Sequence, residues 1–378
     1  MCQRVVDYIK DKGHLFTEPT LVLALDNLEQ NYRNFTDNMP GVNVHYALKA
    51  NPHPHILKEL VSYGSGFDTA SLQEIAMCID AGCDPKKISF GNTVKHPSAI
   101  RGAVTMGIDL FVADSFEELT KIADNAPGSR VYIRLLVRST EAEWPLSRKF
   151  GCSLSMAPML FDWAKHLGLE PVGLSFHVGS QTRHPHMWLD TLDTVEAVWT
   201  NVKMNGHKPY LLNIGGGFPA FYGVEITDPK TYGETLMGEI NKRFDDVKYL
   251  MIEPGRAMVA NLGAISAEVL LVSQKTIGDP VRWVYLEVGR FNGLAETEEE
   301  AIKYQISVVG KEDHEMSDCI VAGPTCDSAD VLYEDNLRPF PVDLKCGDLV
   351  IVHNTGAYTM TYSTIAFNGF APLRVMLI

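Results

Sequence analysis

ISFGNTVKHPSAIRGAVTMGIDLFVADSFEELTKIADNA, residues 88–126, contains the same unit twice. A short β-rich run, ISFGN (88–92), leads into the helix-like HPSAIRGAVTMG, and LFVAD (110–114) leads into SFEELTKIADNA. These helical segments open on Ser or a turn residue, and several of their kind close near Gly, as capped helices do. The unit recurs in both directions. VNVHYAL (42–48) and GFDTA (66–70) precede it, and VYIRLLV (131–137), GLSFHV (173–178), YLLNIGGG (210–217) and YLMIEPG (249–255) follow. Strands alternating with helices give a parallel sheet with crossover helices. Eight units over residues 26–260 predict a (β/α)8 TIM barrel in an α/β protein. A doubly wound open sheet has the same periodicity and stays open as the alternative.

From about residue 261 the pattern changes. AISAEVLLVSQKT, RWVYLEV, DCIVAGPT, GDLVIVHN and LRVMLI read as strands joined by turns, which predicts an antiparallel β domain. EPTLVLAL (18–25) is strand-like as well and is assigned to the same domain, which then comprises residues 1–25 and 261–378.

Composition narrows the function. The 378 residues are 46% hydrophobic and 21% charged, with a mean hydropathy of −0.04, which is ordinary globular usage. No apolar run approaches the ~18 residues of a membrane span, and MCQRVVDYIKDKGHLF lacks the basic start and apolar core of a secretion signal. Net charge is −14, with no basic block to attract nucleic acid or anionic membrane. Seven cysteines, an odd number without a CxxC, fit a reduced cytoplasmic setting and show no zinc framework.

Polar residues follow the strand runs in chain order: Lys49, Asp68, Asn92, Asp114, Arg134, His177, Gly215–Gly217 and Glu253–Arg256. Barrel enzymes build their sites at that end. Each residue alone has a bland reading, as a solvated loop residue, a snorkelling lysine or a satisfied core histidine. Placed together they suggest a site. A partly buried Lys49 amine suits Schiff-base chemistry. GGGFP and EPGR bring two glycine-bearing turns after the seventh and eighth strands, where barrels often bind phosphate. No Lys-Ser/Thr pair follows, so this is not a nucleotide P-loop. His177 could stack on an aromatic ring with Ser180 near its phosphate, and Glu253 could hold a ring nitrogen protonated, as an electron sink requires. GPTCDSAD (323–330) is either an Asx-type turn or a proton donor, Cys326, beside a counter-ion, Asp327. Tyr358 offers a hydroxyl to phosphate.

YALKAN, GFDTAS, SFHVGS, IGGGFP, EPGR, CDSAD, GAYT and FNGF follow in order along the chain, and they carry a likeness that extends over about residues 20–375. With them the chain resembles the fold-III, pyridoxal-phosphate-dependent basic amino acid decarboxylases, the ornithine/lysine decarboxylase family with its alanine-racemase-like fold. WPLSRKFGC, YLEVGRFNGLAET and AGPTCDSAD look closest to the bacterial branch. The resemblance implies a lyase of polyamine biosynthesis that converts ornithine or lysine to a diamine and CO2. It implies that Lys49 bonds the cofactor, His177 stacks on it and Glu253 meets its ring nitrogen. Ser180, Gly217, Gly255, Arg256 and Tyr358 would hold phosphate, with Asp68, Glu74 and Arg134 in support. Cys326 would protonate product, and Asp327, Glu287 and Tyr358 would face substrate. The family's sites are shared across a homodimer, so the Cys326 loop would serve the partner, and Lys149 and Asp330 match a pair that bridges the interface.

There is one departure. Where the family usually places an Asp for the distal cation, this chain has Val288 at the eukaryotic position and Glu287 at the bacterial one. One methylene, at ~1–3 kcal/mol, is enough to switch preference. Arg290 nearby could pair with Glu287 or with a substrate carboxylate. Arginine or an unusual diamino acid therefore stays open as substrate. Diaminopimelate decarboxylase, an amino acid racemase and a non-catalytic regulatory homologue are the further alternatives.

Overall fold

The computed structural model describes residues 1–137 and 149–378, so residues 144–148 of WPLSRKFGC lie outside the described residues. The chain forms two compact units. One comprises Met1–Leu28, Ala220–Glu225 and Val259–Ile378, and the other Glu29–Pro219 and Ile226–Met258. Ala220–Glu225 joins the β-rich segments of the first unit. The reason is local. Asn354 Nδ2 donates to the Phe221 carbonyl at 2.8 Å, and the Tyr222 and Tyr304 rings meet edge to face at 5.4 Å.

The first strand, β1 (Thr20–Leu23), belongs to the β unit. The strands that follow are β2 (Val42–Ala47), β3 (Gly66–Thr69), β4 (Ile88–Phe90), β5 (Leu110–Ala113), β6 (Arg130–Arg134), β7 (Glu170–Ser175), β8 (Leu211–Asn213) and β9 (Tyr249–Ile252). Each pairs in parallel with the next, and β9 pairs back onto β2 through Val42↔Leu250 to Val44↔Ile252. Among the described residues the eight close a barrel, which rules out the doubly wound sheet. Closure buries the strands, and β3, β4 and β5 are buried at every position, as their apolar runs require. Leu110 and Val112 of β5 pack with Tyr132 of β6, Val172 of β7 and Leu211 of β8 in one buried cluster.

The caps predicted from sequence are made. Ser71 accepts from the Glu74 N–H at the start of helix Leu72–Asp80, and Ser115 does the same for Glu118 at helix Phe116–Asn125. Pro97 sits in the first turn of Pro97–Thr105, where a missing N–H costs nothing. Gly64, with φ +94°, closes helix Pro54–Tyr63 in the left-handed conformation that only glycine adopts without strain.

The β unit continues with β10 (Gly263–Ser273), β11 (Arg282–Leu286), β12 (Ile306–Val308), β13 (Met316–Ala322), β14 (Val331–Pro341), β15 (Leu349–Val352) and β16 (Arg374–Leu377). They run in the order β12-β15-β10-β11-β13-β14, with β1 between β10 and β16. The expected antiparallel sheet is mixed, because β1–β16 and β11–β13 pair in parallel. Parallel neighbours need long connections, and the chain between β11 and β13 is long enough to include β12. Ahead of β1, helix Gln3–Lys12 packs Val5, Val6 and Ile9 against Val22, Ala264 and Ile351. Among the described residues no helix is long and apolar enough to cross a membrane.

His45 is buried between β2 and β9, with Nε2 2.8 Å from the Tyr249 hydroxyl. Burial pushes its pKa from 6.5 down to about 4. It is therefore neutral in the fold and takes up a proton on unfolding. Its stabilisation is complete above the unfolded value and is lost as pH falls toward the folded one. Denaturant titrations at stepped pH should show stability falling below pH about 6.5, with His45 contributing as much as about 1.4 kcal/mol per pH unit. His45→Gln should flatten that slope, and an unchanged slope would put the titrating group elsewhere.

Candidate active site

The ends of the barrel strands bring one set of polar side chains together. Lys49 lies in the short turn Leu48–Ala50 directly after β2. Asp68, near the end of β3, is 8% exposed and leans across the next strand's end. Gly91 makes that possible, since a Cβ there would overlap the Asp68 carboxylate. Burial and the Glu253 charge push the Asp68 pKa well up, while Lys49 and Arg134 pull it down. Glu74 accepts from the Ala70 N–H at 2.6 Å, and its pKa is raised by burial. These groups sense one another because they surround one space.

His177 follows β7. Its Nδ1 accepts from the Gly179 N–H at 2.9 Å, which leaves Nε2 to carry the proton of the neutral ring. Burial, with Arg134 and Lys49 nearby, lowers its pKa to about 3, so the imidazole stays an uncharged flat surface. Arg134 lies over the Phe150 ring, 5.2 Å from its centre.

The glycine run ties the next two strands together. The Gly215 N–H donates to Asn213 Oδ1 at 2.8 Å, and Asn213 Nδ2 donates to Glu253 Oε1 at 2.5 Å. The Glu253 N–H donates back to the Gly215 carbonyl at 2.8 Å. A Cβ on Gly216 would stand 2.6 Å from the Glu253 carbonyl oxygen and 3.3 Å from His177 Nε2. Gly217 has φ +108° and no room for a Cβ against the Gly179 carbonyl. Beside this run Arg256, 4% exposed, donates from Nη2 to Ser180 Oγ at 3.2 Å, with Gly255 buried before it. Glycine backbone, a hydroxyl and a guanidinium make a donor set for a phosphate. An amine, a flat neutral imidazole and a fixed carboxylate beside it match a pyridine aldehyde. The residues present fit pyridoxal phosphate.

Sequence reasoning missed Asn213, Gly91 and Lys95. Asn213, a lone amide in an apolar run just before the glycines, was the one signal available. Lys95 is a second lysine of the barrel unit, with a pKa lowered to about 8 by burial. Its Nζ is committed to the Asn92 and Val112 carbonyls, each at 2.7 Å, and to Glu118 at 3.0 Å. It is a structural cation. Asn92 and Asp114 also serve local structure, Asn92 by accepting from the Val94 N–H and Asp114 from the Gly151 N–H.

The remaining candidates, apart from Lys149, lie in the β unit. Lys149 itself packs over the Phe150 ring at 4.9 Å. Cys326 is exposed, and its N–H and thiol both donate to Asn368 Oδ1, at 3.1 and 3.3 Å. Asp327 closes its own turn by accepting from the Ala329 N–H at 2.9 Å. Asp330 is 2% exposed and accepts from the Arg290 N–H and from the Thr325 N–H and hydroxyl, all uncharged donors. Tyr358 has φ +55° and lies against Tyr362. Glu287 accepts from the Glu268 N–H at 3.2 Å and lines a groove with Glu18, Asn292 and Phe370. Burial, with the Glu268 and Glu18 charges, raises its pKa. Arg290 does not pair with Glu287. Its Nη2 donates to the Val331 and Thr297 carbonyls, because those acceptors face it across the loop.

Comparisons with known proteins agree with this geometry. Residues 25–260 match the pyridoxal binding domain of pyridoxal-dependent decarboxylases. Over 364 residues the chain is 33% identical to the lysine/ornithine decarboxylase of Selenomonas ruminantium, covering 96% of this chain and 90% of that one. A lysine/ornithine decarboxylase from Vibrio vulnificus, solved with putrescine, superposes with a TM-score of 0.87 at 29% identity, over 100% of this chain and 99% of that one. The arginine decarboxylase of Paramecium bursaria Chlorella virus superposes with a TM-score of 0.88 at 27% identity, over the full length of both. With its barrel, its glycine cradle and this match over most of its length, the chain belongs to the pyridoxal-dependent decarboxylase family, with pyridoxal phosphate as its cofactor.

Proposed function

We propose that the chain decarboxylates a cationic L-amino acid, ornithine or lysine before arginine, to the corresponding amine and CO2. The observation that carries this reading is the convergence of Lys49, Asp68, Arg134, His177 and Glu253 beside the Gly215–Gly217 cradle. The relatives' substrates support the choice of a basic amino acid.

In this reading Lys49 would provide the amine that holds the cofactor at the barrel mouth. Pyridoxal phosphate, when bound, supplies the sink for the electron pair left on the α-carbon as CO2 departs. Glu253, fixed by Asn213, holds a proton at the pyridine nitrogen. His177 stays neutral and covers a ring face without adding charge. Arg256, Ser180, Gly217 and Gly255 hold the phosphate, with the Tyr358 hydroxyl as a further donor. Asp68, Glu74 and Arg134 set the field around Lys49. Cys326 passes its proton to the α-carbon as a general acid. Asp327 and Glu287 receive the distal cation, and a neutral side chain would leave these carboxylates unpaired.

A second copy of the chain completes the site in this reading. Cys326 and Asp327 are exposed at a turn tip and are offered to the barrel of the partner copy. Lys149 of one copy would supply Asp330 of the other with the cation that its three uncharged donors do not provide.

A panel of ornithine, lysine and arginine, scored for CO2 and amine, should show turnover on at least one. Failure on all three would mean a different substrate class, and racemisation without CO2 would overturn the reaction. Lys49→Ala should abolish both turnover and the visible absorbance of the loaded protein, and persistence of both would refute its role. Cys326→Ala should lower kcat by about 10²–10⁴, the usual worth of a general acid. A wild-type rate would move proton delivery elsewhere.

A further inference from the structure

Cys326 sits at the tip of a turn braced by hydrogen bonds among Thr325, Asp327, Ala329 and Asp330. Thr325 gives its N–H and hydroxyl to Asp330, Ala329 gives its N–H to Asp327 Oδ1, and the Asp330 N–H goes to the Asp327 carbonyl. Asp330 is buried and also accepts from the Arg290 N–H. Gly289 and Gly323 have no Cβ because its carboxylate fills that space. The base of the turn is therefore rigid and registered to the segment Gly289–Asn292. The tip is held from outside the turn by Asn368, whose Oδ1 accepts from both the Cys326 N–H and the Cys326 thiol.

The backbone of Asn368 is set up for this. Its φ is +49°, and Ala366 two residues earlier has φ +59°. A non-glycine residue in that region costs about 1–3 kcal/mol unless its surroundings over-determine it. Here they do. The Thr364 N–H and hydroxyl both donate to the Phe291 carbonyl at 2.8 Å, and the Phe291 and Phe367 rings pack at 4.7 Å. The chain thus makes a closed circuit from Asp330 through Arg290 and Phe291 to Phe367 and Asn368, then through Cys326 and Thr325 back to Asp330. Asn, Asp and Gly tolerate a left-handed backbone, and of these only Asn and Asp also carry an acceptor that reaches the thiol.

We propose that Asn368 is a positioning residue for Cys326. It fixes the Cys326 sulfur in one rotamer, from which a turn about the Cβ–Sγ bond swings the proton off Asn368 Oδ1 and toward the product carbon. The proposal rests on the reading of Cys326 as the proton donor. It also links that donor to Glu287 and Arg290, since the segment that bears them anchors the loop of Asn368.

The test uses the holoenzyme with Cys346→Ser, which removes the other exposed thiol. Asn368→Gly keeps the left-handed backbone and deletes the acceptor, whereas Asn368→Asp keeps both. Iodoacetamide labelling of Cys326 at one fixed pH, followed by mass spectrometry, reports how the thiol is held. Asn368→Gly should label about 3- to 10-fold faster, the scale of the lost thiol hydrogen bond, and lower kcat by a similar factor with KM little changed. Asn368→Asp keeps the acceptor, and its charge disfavours the thiolate, so it should label no faster than the parent and recover kcat. Parent-like labelling and kcat in Asn368→Gly, beside a crippled Cys326→Ala, would overturn the proposal alone. A rise in KM with kcat preserved would overturn it too. A fully active Cys326→Ala would instead remove the reading on which it rests.

Discussion

The hydrogen bond from Asn213 to Glu253 is the constraint on which the site depends. It joins the ends of two adjacent barrel strands, and Gly215 closes the loop by donating to Asn213 and accepting from Glu253. A carboxylate near a barrel mouth can otherwise turn toward any cation, and Lys49 and Arg134 are both near enough to attract one. Pinning it by an uncharged amide fixes its direction without cancelling its charge. The glycines then let the backbone pass within contact of His177 and Gly179, where any Cβ would collide. One short knot sets both the carboxylate and the anion cradle.

The site follows from a division of electrostatic labour. Asp68 is pushed toward its neutral form by burial and by Glu253, while the same burial keeps His177 uncharged. Charge is kept where a cofactor or substrate would use it and is suppressed where a flat apolar surface serves better. Lys95 shows the contrast. It is the more deeply buried lysine and burial lowers its pKa, yet three partners hold its amine and a ring lies 5.6 Å away. A depressed pKa alone would have pointed to the wrong residue, and only position at the mouth singles out Lys49.

Much of this was legible in the chain because it is local. The eight barrel strands, their Ser caps and the glycine run are all patterns within a few residues, and the barrel's parallel order follows from the helices between them. The failures were non-local. β14 contains the polar stretch Glu334–Asn336, which does not read as strand, although Glu300 accepts from all three of those N–H groups. Strand direction in the β unit was misjudged because β1 and β16 lie at opposite ends of the chain, so nothing local encodes their parallel pairing. Gly91 could not be recognised without knowing that Asp68 leans over it, nor Asn368 without knowing that it meets Cys326.

The most direct measurement is to reduce the loaded protein with borohydride, digest it and map which lysine retains the cofactor's mass. The account predicts a single modified peptide carrying Lys49. Modification at Lys95, or at no lysine of the barrel, would contradict it and leave the glycine cradle without the chemistry assigned to it.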